Sequence, residues 1–113
     1  MRERLHHVGL QLTAISTISE AELRYGVARN PNAARRRASV ESFLRNASIL
    51  PWDSAAARAY GLLRAEQERK GRPLSTEDMM IASHALSLGL TLVTNDSAFS
   101  FIDGLKTEDW TVA

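Results

Sequence analysis

Short apolar runs alternate with longer amphipathic segments along this chain, and that alternation limits the folds that it can adopt. Residues 7–16 alternate apolar and polar side chains with a period of two, which predicts a strand. Residues 90–94 form a near-continuous apolar run, as is typical of a strand in a parallel sheet covered on both faces. Two shorter candidate strands occupy residues 49–52 and 104–110. Pro51 places the first of these at a sheet edge, because proline cannot donate to a central ladder.

Helices are predicted between these strands from their apolar stripes and their end signals. Serine or aspartate caps begin three of them, and glycines that favour a left-handed conformation end two. The predicted helices run from Ser19 to about Arg29, from about Asn32 to Ala47, from Asp53 to Gly71 and from Ser75 to Gly89. Strands that alternate with helices predict an α/β fold in three layers, with a mostly parallel twisted sheet and helices on both faces.

The composition limits the size of the fold and the chemistry of any site. A chain of 113 residues with 44% hydrophobic content is long enough for one packed domain, so residues 1–113 are predicted to form a single domain. The chain has no cysteine, so any metal ion is held by oxygen or imidazole, which favours Mg²⁺ or Mn²⁺ over structural zinc. The apolar runs are too short for a signal peptide or a membrane span, and we expect a cytoplasmic protein.

Three carboxylates are predicted to meet at one edge of the sheet. Glu22 and Asp78 fall in the first turns of their predicted helices, and Asp96 directly follows the strand at residues 90–94. In a parallel sheet the carboxyl ends of strands and the amino ends of the following helices lie along the same edge. Clustered carboxylates repel one another, and a bound divalent cation removes that cost. Such a cation also activates water, so the three acids predict hydrolysis of a phosphoester.

Each of these acids also has a purely structural explanation. Glu22 and Asp78 both match capping boxes, in which a first-turn acid stabilises the start of its helix. Asp96 is equally suited to the start of a turn. Asp53 is assigned to N-capping alone, because its strand is predicted to lie at the sheet edge. His84 lies on an apolar helix face and is predicted to be a hydrogen-bonded core histidine rather than a ligand.

Four segments of the chain resemble the VapC family, the PIN-domain toxins of bacterial toxin–antitoxin pairs. The resemblance extends from about Thr13 to Trp110, and the order and spacing of the segments match throughout. The segments are ISTISEAELRYGV at residues 15–27, LPWD at residues 50–53, DMMIASHA at residues 78–85 and TLVTND at residues 91–96. The combination is far more specific than any one segment.

The resemblance implies a Mg²⁺- or Mn²⁺-dependent endoribonuclease that acts on RNA. It also implies a homodimer that a small VapB-type antitoxin neutralises by placing its C-terminal segment in the active-site groove. Glu22, Asp78 and Asp96 match three acidic residues of the family's site and are carried over as catalytic and metal-binding residues. Thr94 and Asn95 match the polar stretch that leads into the last acid.

The chain departs from the family pattern at its front. Family members open with a strand that ends in an Asp-Thr-Asn type motif, whereas this sequence has no aspartate before Asp53. Its first alternating strand therefore aligns with the family's second strand. Three accounts are open: a misassigned start, a degraded copy, or a rearrangement of residues 1–12. The leading hypothesis is a ribonuclease toxin, and the alternative is a truncated, non-catalytic PIN-like module that binds RNA or an antitoxin.

Overall fold

The computed structural model describes residues 14–72, 74–94 and 96–108, so residues 7–13 of the predicted first strand, Asn95 and Trp110 lie outside the described residues. The helices are α1 (Thr17–Arg29), α2 (Ala34–Asn46), α3 (Ser54–Arg69) and α4 (Thr76–Leu88), and a 3-10 helix spans Ser97–Phe101. The strands are β1 (Ala14–Ser16), β2 (Ser48–Leu50), β3 (Leu92–Val93) and β4 (Thr107–Glu108). Among the described helices, none is long and apolar enough to cross a membrane.

Capping residues set the ends of α3 and α4 as the sequence predicts. Asp53 Oδ1 accepts a hydrogen bond from the backbone N–H of Ala56 at 3.1 Å. Ser75 Oγ accepts one from the backbone N–H of Asp78 at 3.0 Å. Gly89 ends α4 in the left-handed conformation, with φ of 67°. Both predicted N-caps are therefore confirmed.

The predicted start of α1 is wrong. The N-cap is Ser16, whose Oγ accepts a hydrogen bond from the backbone N–H of Ile18 at 3.0 Å, so Ser19 lies inside the helix. Ser16 also ends β1 and is only 1% exposed, so the chain passes directly from strand to helix without a loop. Glu22 consequently lies one turn deeper in α1 than the first-turn position predicted for it.

The described strands form two parallel pairs. β1 pairs with β2, with Ile15 opposite Ile49, and β3 pairs with β4, with Leu92 opposite Thr107. Parallel pairing between strands joined by helices confirms the predicted α/β class. The described residues do not join the two pairs into the single sheet that the sequence predicts. Residues of β1 and β3 line the same groove.

The main hydrophobic core holds the elements that carry Asp78 and Asp96. It packs α3 and α4 against β3 and the 3-10 helix, and its buried members are Leu63, Met79, Ala82, Ala85, Leu92, Phe99 and Ile102. Met79 directly follows Asp78, and Phe99 lies one turn beyond Asp96. The backbone beneath both carboxylates is therefore anchored by buried side chains.

His84 is a core residue of α4, as predicted. It is 1% exposed and makes a hydrogen bond with the backbone of Pro51. Burial lowers the pKa of His84 below its ordinary value of 6.5, and the nearby negative charge of Asp53 only partly opposes that effect. The neutral imidazole is thus the form that the folded protein accommodates.

Acidification is expected to destabilise the fold through His84. Because the folded pKa lies below the unfolded value, the unfolded chain binds more protons as the pH falls below about 6.5. The contribution of His84 to stability is complete above that value and declines below it, by at most about 1.4 kcal/mol per pH unit for one proton. Urea unfolding at pH values between 7.5 and 5 measures this slope, and His84→Asn should make it shallower. An equal slope in both proteins would contradict the assignment.

Candidate active site

The packing of α1 against α4 brings acidic side chains together. The Glu22 and Glu77 carboxyl groups are in contact, and Asp78 lies close enough to act on Glu22 electrostatically. The pKa of Glu22 is raised above its ordinary value of 4.5, first by burial and then by its contact with Glu77 and by the charges of Glu77 and Asp78. Glu22 nevertheless stays accessible to solvent. Two of the three predicted site residues, Glu22 and Asp78, are therefore neighbours.

Sequence reasoning missed Glu77, which the structure shows in contact with Glu22. The signal for it was a pair of consecutive acids in the first turn of α4, Glu77 and Asp78. Consecutive helical residues point in different directions, so the pair by itself does not say which acid faces another element. The packing of α1 against α4 shows that both acids act on Glu22, and that Glu77 is the one in contact with it.

Asp96 has a local structural role. Its Oδ1 accepts a hydrogen bond from the backbone N–H of Ala98 at 2.9 Å, and its own N–H donates to Thr94 Oγ1 at 3.1 Å. Asp96 therefore caps the 3-10 helix. Within the described ranges, no three histidine, aspartate or glutamate side chains lie close enough together to hold a metal ion. The described residues thus do not gather Asp96 into one group with Glu22 and Asp78.

A groove of about 490 Å³ lies between β1 and β3 and extends to Glu22. Its described lining is mostly apolar and comprises Ile15, Ser16, Ser19, Glu22, Leu23, Arg36, Ser39, Val40, Phe43, Ile81, Leu92 and Val93. Glu22 and Arg36 are the charged members of this lining. The groove therefore presents an anionic and a cationic side chain above an apolar floor.

The donor chemistry of this cluster suits a hard divalent cation. Carboxylate oxygens are the ligands that Mg²⁺ and Mn²⁺ prefer. The pKa of Glu22 is raised first by burial and then by the two neighbouring acids, Glu77 and Asp78, so the ionised form is disfavoured in the metal-free protein. A bound divalent cation would remove that penalty. Glu22 and Asp78 therefore fit such an ion in chemistry, although the described residues do not assemble a three-ligand group.

Glu22→Gln is expected to stabilise the metal-free protein slightly at neutral pH. Because the folded pKa of Glu22 is raised, its favourable contribution is present below about pH 4.5 and is lost as the pH rises through the folded pKa. A neutral glutamine avoids the cost of the charge, and the gain is at most about 1 kcal/mol because accessible charges interact weakly. The measurement is Tm in EDTA at pH 7.5.

Glu20→Gln is the matched control on the same helix. Glu20 accepts a hydrogen bond from Arg24 Nε at 2.9 Å, so its loss should leave the Tm unchanged or lower it slightly. A lower Tm for Glu22→Gln at pH 7.5 would show that the Glu22 charge does not oppose folding.

Comparison with known proteins identifies the family of this chain. Residues 3–105 match the PIN domain family. The chain is 43% identical over 97 residues to the tRNA(fMet)-specific endonuclease VapC of Shigella flexneri, covering 85% of this chain and 74% of that protein. This chain belongs to the VapC family of PIN-domain proteins. The predicted resemblance is thereby confirmed.

Two further relatives extend the comparison for this VapC-family chain. The tRNA(fMet)-specific endonuclease VapC of Salmonella typhimurium is 40% identical over 111 residues, which cover 97% of this chain and 83% of that protein. The crystal structure of VapBC2 from Rickettsia felis, bound to a DNA fragment from its promoter, superposes with a TM-score of 0.82 at 38% identity. That superposition covers 87% of this chain and 74% of the matched chain, and it confirms the PIN-like fold.

Proposed function

We propose that this VapC-family chain is the toxin of a toxin–antitoxin pair and hydrolyses RNA phosphodiester bonds with Mg²⁺ or Mn²⁺. The observation that carries the proposal is the meeting of Glu22 with Glu77 and Asp78 beside a groove. The chain's relatives that bear the names ribonuclease or endonuclease VapC support the class of reaction.

The proposed site divides its roles among a few acidic residues. Glu22 and Asp78 would hold the cation, and Asp96, matched to the family's last acid, would be the third ligand if it moved toward them from its capping position. When bound, such a cation activates water and polarises a phosphodiester. Glu77 is in contact with Glu22 and would orient its side chain. Thr94 supports the backbone ahead of Asp96, because its Oγ1 accepts the Asp96 N–H.

Arg36 is the residue proposed to bind the RNA backbone in the groove. It belongs to the exposed triplet Arg35, Arg36 and Arg37 at the start of α2. Arg37 is engaged with the backbone oxygen of Pro31 at 2.7 Å, whereas Arg36 lines the groove with Glu22. A guanidinium matches the geometry of a phosphate with two parallel hydrogen bonds. Arg36 is therefore placed to hold a phosphate close to the acidic cluster.

The test of the proposed function is RNA cleavage by the purified chain. Labelled RNA incubated with Mn²⁺ or Mg²⁺ should be cut, and EDTA should stop the reaction. A well-folded sample that cuts RNA equally in EDTA, or does not cut it at saturating Mn²⁺, would overturn the proposal. Circular dichroism on the same sample establishes that it is folded.

A binding module without catalysis is the second candidate. The observation that favours it is that the described residues contain no group of three possible metal ligands. This candidate predicts RNA or antitoxin binding that divalent ions do not strengthen, together with no cleavage at saturating Mn²⁺. Metal-dependent cleavage would eliminate it.

The proposed partners are a VapB-type antitoxin and a second copy of the chain. The crystal structures that superpose on this chain include VapBC complexes from Rickettsia felis and Salmonella typhimurium, which supports an antitoxin partner here. Homodimer formation follows from the family resemblance. Light scattering on the purified chain, with and without a co-expressed antitoxin, measures both associations.

A further inference from the structure

Two further cavities share part of their lining. The smaller, of about 280 Å³, is lined by Gln67, Arg72, Leu74, Ser97, Ala98 and Phe101. The larger, of about 460 Å³, is lined by Lys70, Arg72, Ser100, Phe101 and Asp103. Arg72 and Phe101 belong to both, so these two side chains form the boundary between the cavities. We call them the Phe101–Arg72 platform.

The smaller cavity borders two of the three segments that carry the proposed metal ligands. Leu74 directly precedes Ser75, the cap of α4, whose first turn contains Asp78. Ser97 directly follows Asp96. The platform therefore borders the chain segments that lead to Asp78 and to Asp96.

The platform combines an exposed aromatic ring with an arginine. Phe101 is 54% exposed, and the Arg72 guanidinium carbon lies 4.7 Å from the centre of its ring. The charge of Arg72 acts on Asp103, whose carboxylate accepts a hydrogen bond from Lys70 Nζ at 2.8 Å. The described lining of the larger cavity thus carries two cationic side chains and one carboxylate, and Arg72 also stacks on the Phe101 ring.

A buried glutamine holds Arg72 in place. The Gln67 backbone oxygen accepts the Arg72 N–H at 3.0 Å, and Gln67 Nε2 donates to the Arg72 backbone oxygen at 3.0 Å. Gln67 is 2% exposed, and its Oε1 atom has no hydrogen-bond partner among the described residues. Buried polar atoms usually have a partner, so the Gln67 side chain is held by its Nε2 bond to Arg72 and not by its oxygen.

We propose that the Phe101–Arg72 platform binds one unpaired base of single-stranded RNA, next to the phosphodiester at the acidic cluster. The base stacks on the Phe101 ring, and Arg72, which Gln67 holds in place from beneath, binds the adjoining phosphate. Proteins recognise single-stranded RNA through aromatic stacking and arginine in this way. The proposal rests on the proposed function, because it supplies the substrate position for that site.

The test measures RNA affinity in EDTA, where binding is separated from cleavage. By fluorescence anisotropy with a short labelled single-stranded RNA, Phe101→Ala should weaken binding roughly five- to a hundredfold, the range found for loss of one base-stacking contact. Phe101→Trp should retain the wild-type affinity. Tyr25→Ala is the matched control, because Tyr25 is 64% exposed with Arg29 stacked 5.4 Å from its ring centre on α1. It should bind RNA as the wild type does.

RNAs with one base removed at successive positions distinguish stacking from a general structural effect. If Phe101 stacks on a base, one abasic position should weaken wild-type binding and abolish the difference between wild type and Phe101→Ala. An unchanged affinity for Phe101→Ala, or an equal loss at every position, overturns the subsite. Loss of antitoxin affinity without loss of RNA affinity in Phe101→Ala also overturns the subsite.

If the subsite is overturned but the wild type still cuts RNA with Mn²⁺ or Mg²⁺, the proposed function stands. A wild type that neither binds nor cuts RNA overturns both the subsite and the proposed function.

Discussion

Asp78→Asn should reduce metal-dependent RNA cleavage on the order of 100-fold or more, the scale seen when one preorganised electrostatic group is removed from an active site. Asp78 is half-buried in the first turn of α4 and adds its charge to that of Glu77 beside Glu22. The substitution removes a proposed cation ligand. Its Ser75 cap should survive, because Ser75 accepts the backbone N–H of residue 78 and not its side chain. Initial cleavage rates at saturating Mn²⁺ measure the effect.

Asp53→Asn is the matched control for that experiment. It makes the same change of chemistry at the start of another helix, where the side-chain oxygen accepts the Ala56 N–H at 3.1 Å. An asparagine oxygen accepts the same bond, so both fold and cleavage should be retained. Wild-type rates for Asp78→Asn, or an equal loss in Asp53→Asn, would contradict the proposed role of Asp78. Matching circular dichroism spectra confirm that the three proteins share one fold.

Phe99→Ala should cost about 3–5 kcal/mol of unfolding free energy, as is usual for loss of a buried aromatic ring. Phe99 is 5% exposed and belongs to the core cluster between α3, α4 and β3. Small domains are stable by only about 5–15 kcal/mol, so this one change removes a large share of the total. It also removes the anchor of the 3-10 helix that Asp96 caps. Urea unfolding followed by circular dichroism measures the loss.

Phe101→Ala provides the control two residues away in the same 3-10 helix. Because Phe101 is 54% exposed, its truncation should change the unfolding free energy by no more than about 0.5 kcal/mol. The two variants therefore separate stability from RNA binding. Phe99→Ala should lower the free energy of unfolding, whereas Phe101→Ala should stay folded and bind RNA weakly. A Phe99→Ala protein with the wild-type urea midpoint would show that this ring does not support the core.

Local chemistry alone determined much of the secondary structure. Asp53, Ser75 and Gly89 act within a few residues of themselves, since a capping hydrogen bond spans two or three positions and a left-handed φ depends on one residue. The resemblance of four segments to VapC likewise needed only the order of residues along the chain. The capping predictions were confirmed because each capping interaction joins residues that are close in sequence.

Tertiary packing decided what the sequence left open. The buried Ser16 ends β1 and caps α1, so the helix begins about one turn before the predicted start. Glu22 therefore lies in the second turn of α1 and not in the first. The position of α1 on α4 brought Glu77 into contact with Glu22, and residues of α1, β1 and β3 together line the groove. Such contacts join segments far apart in the chain. Their geometry depends on how whole helices and strands pack, and no local pattern contains that information.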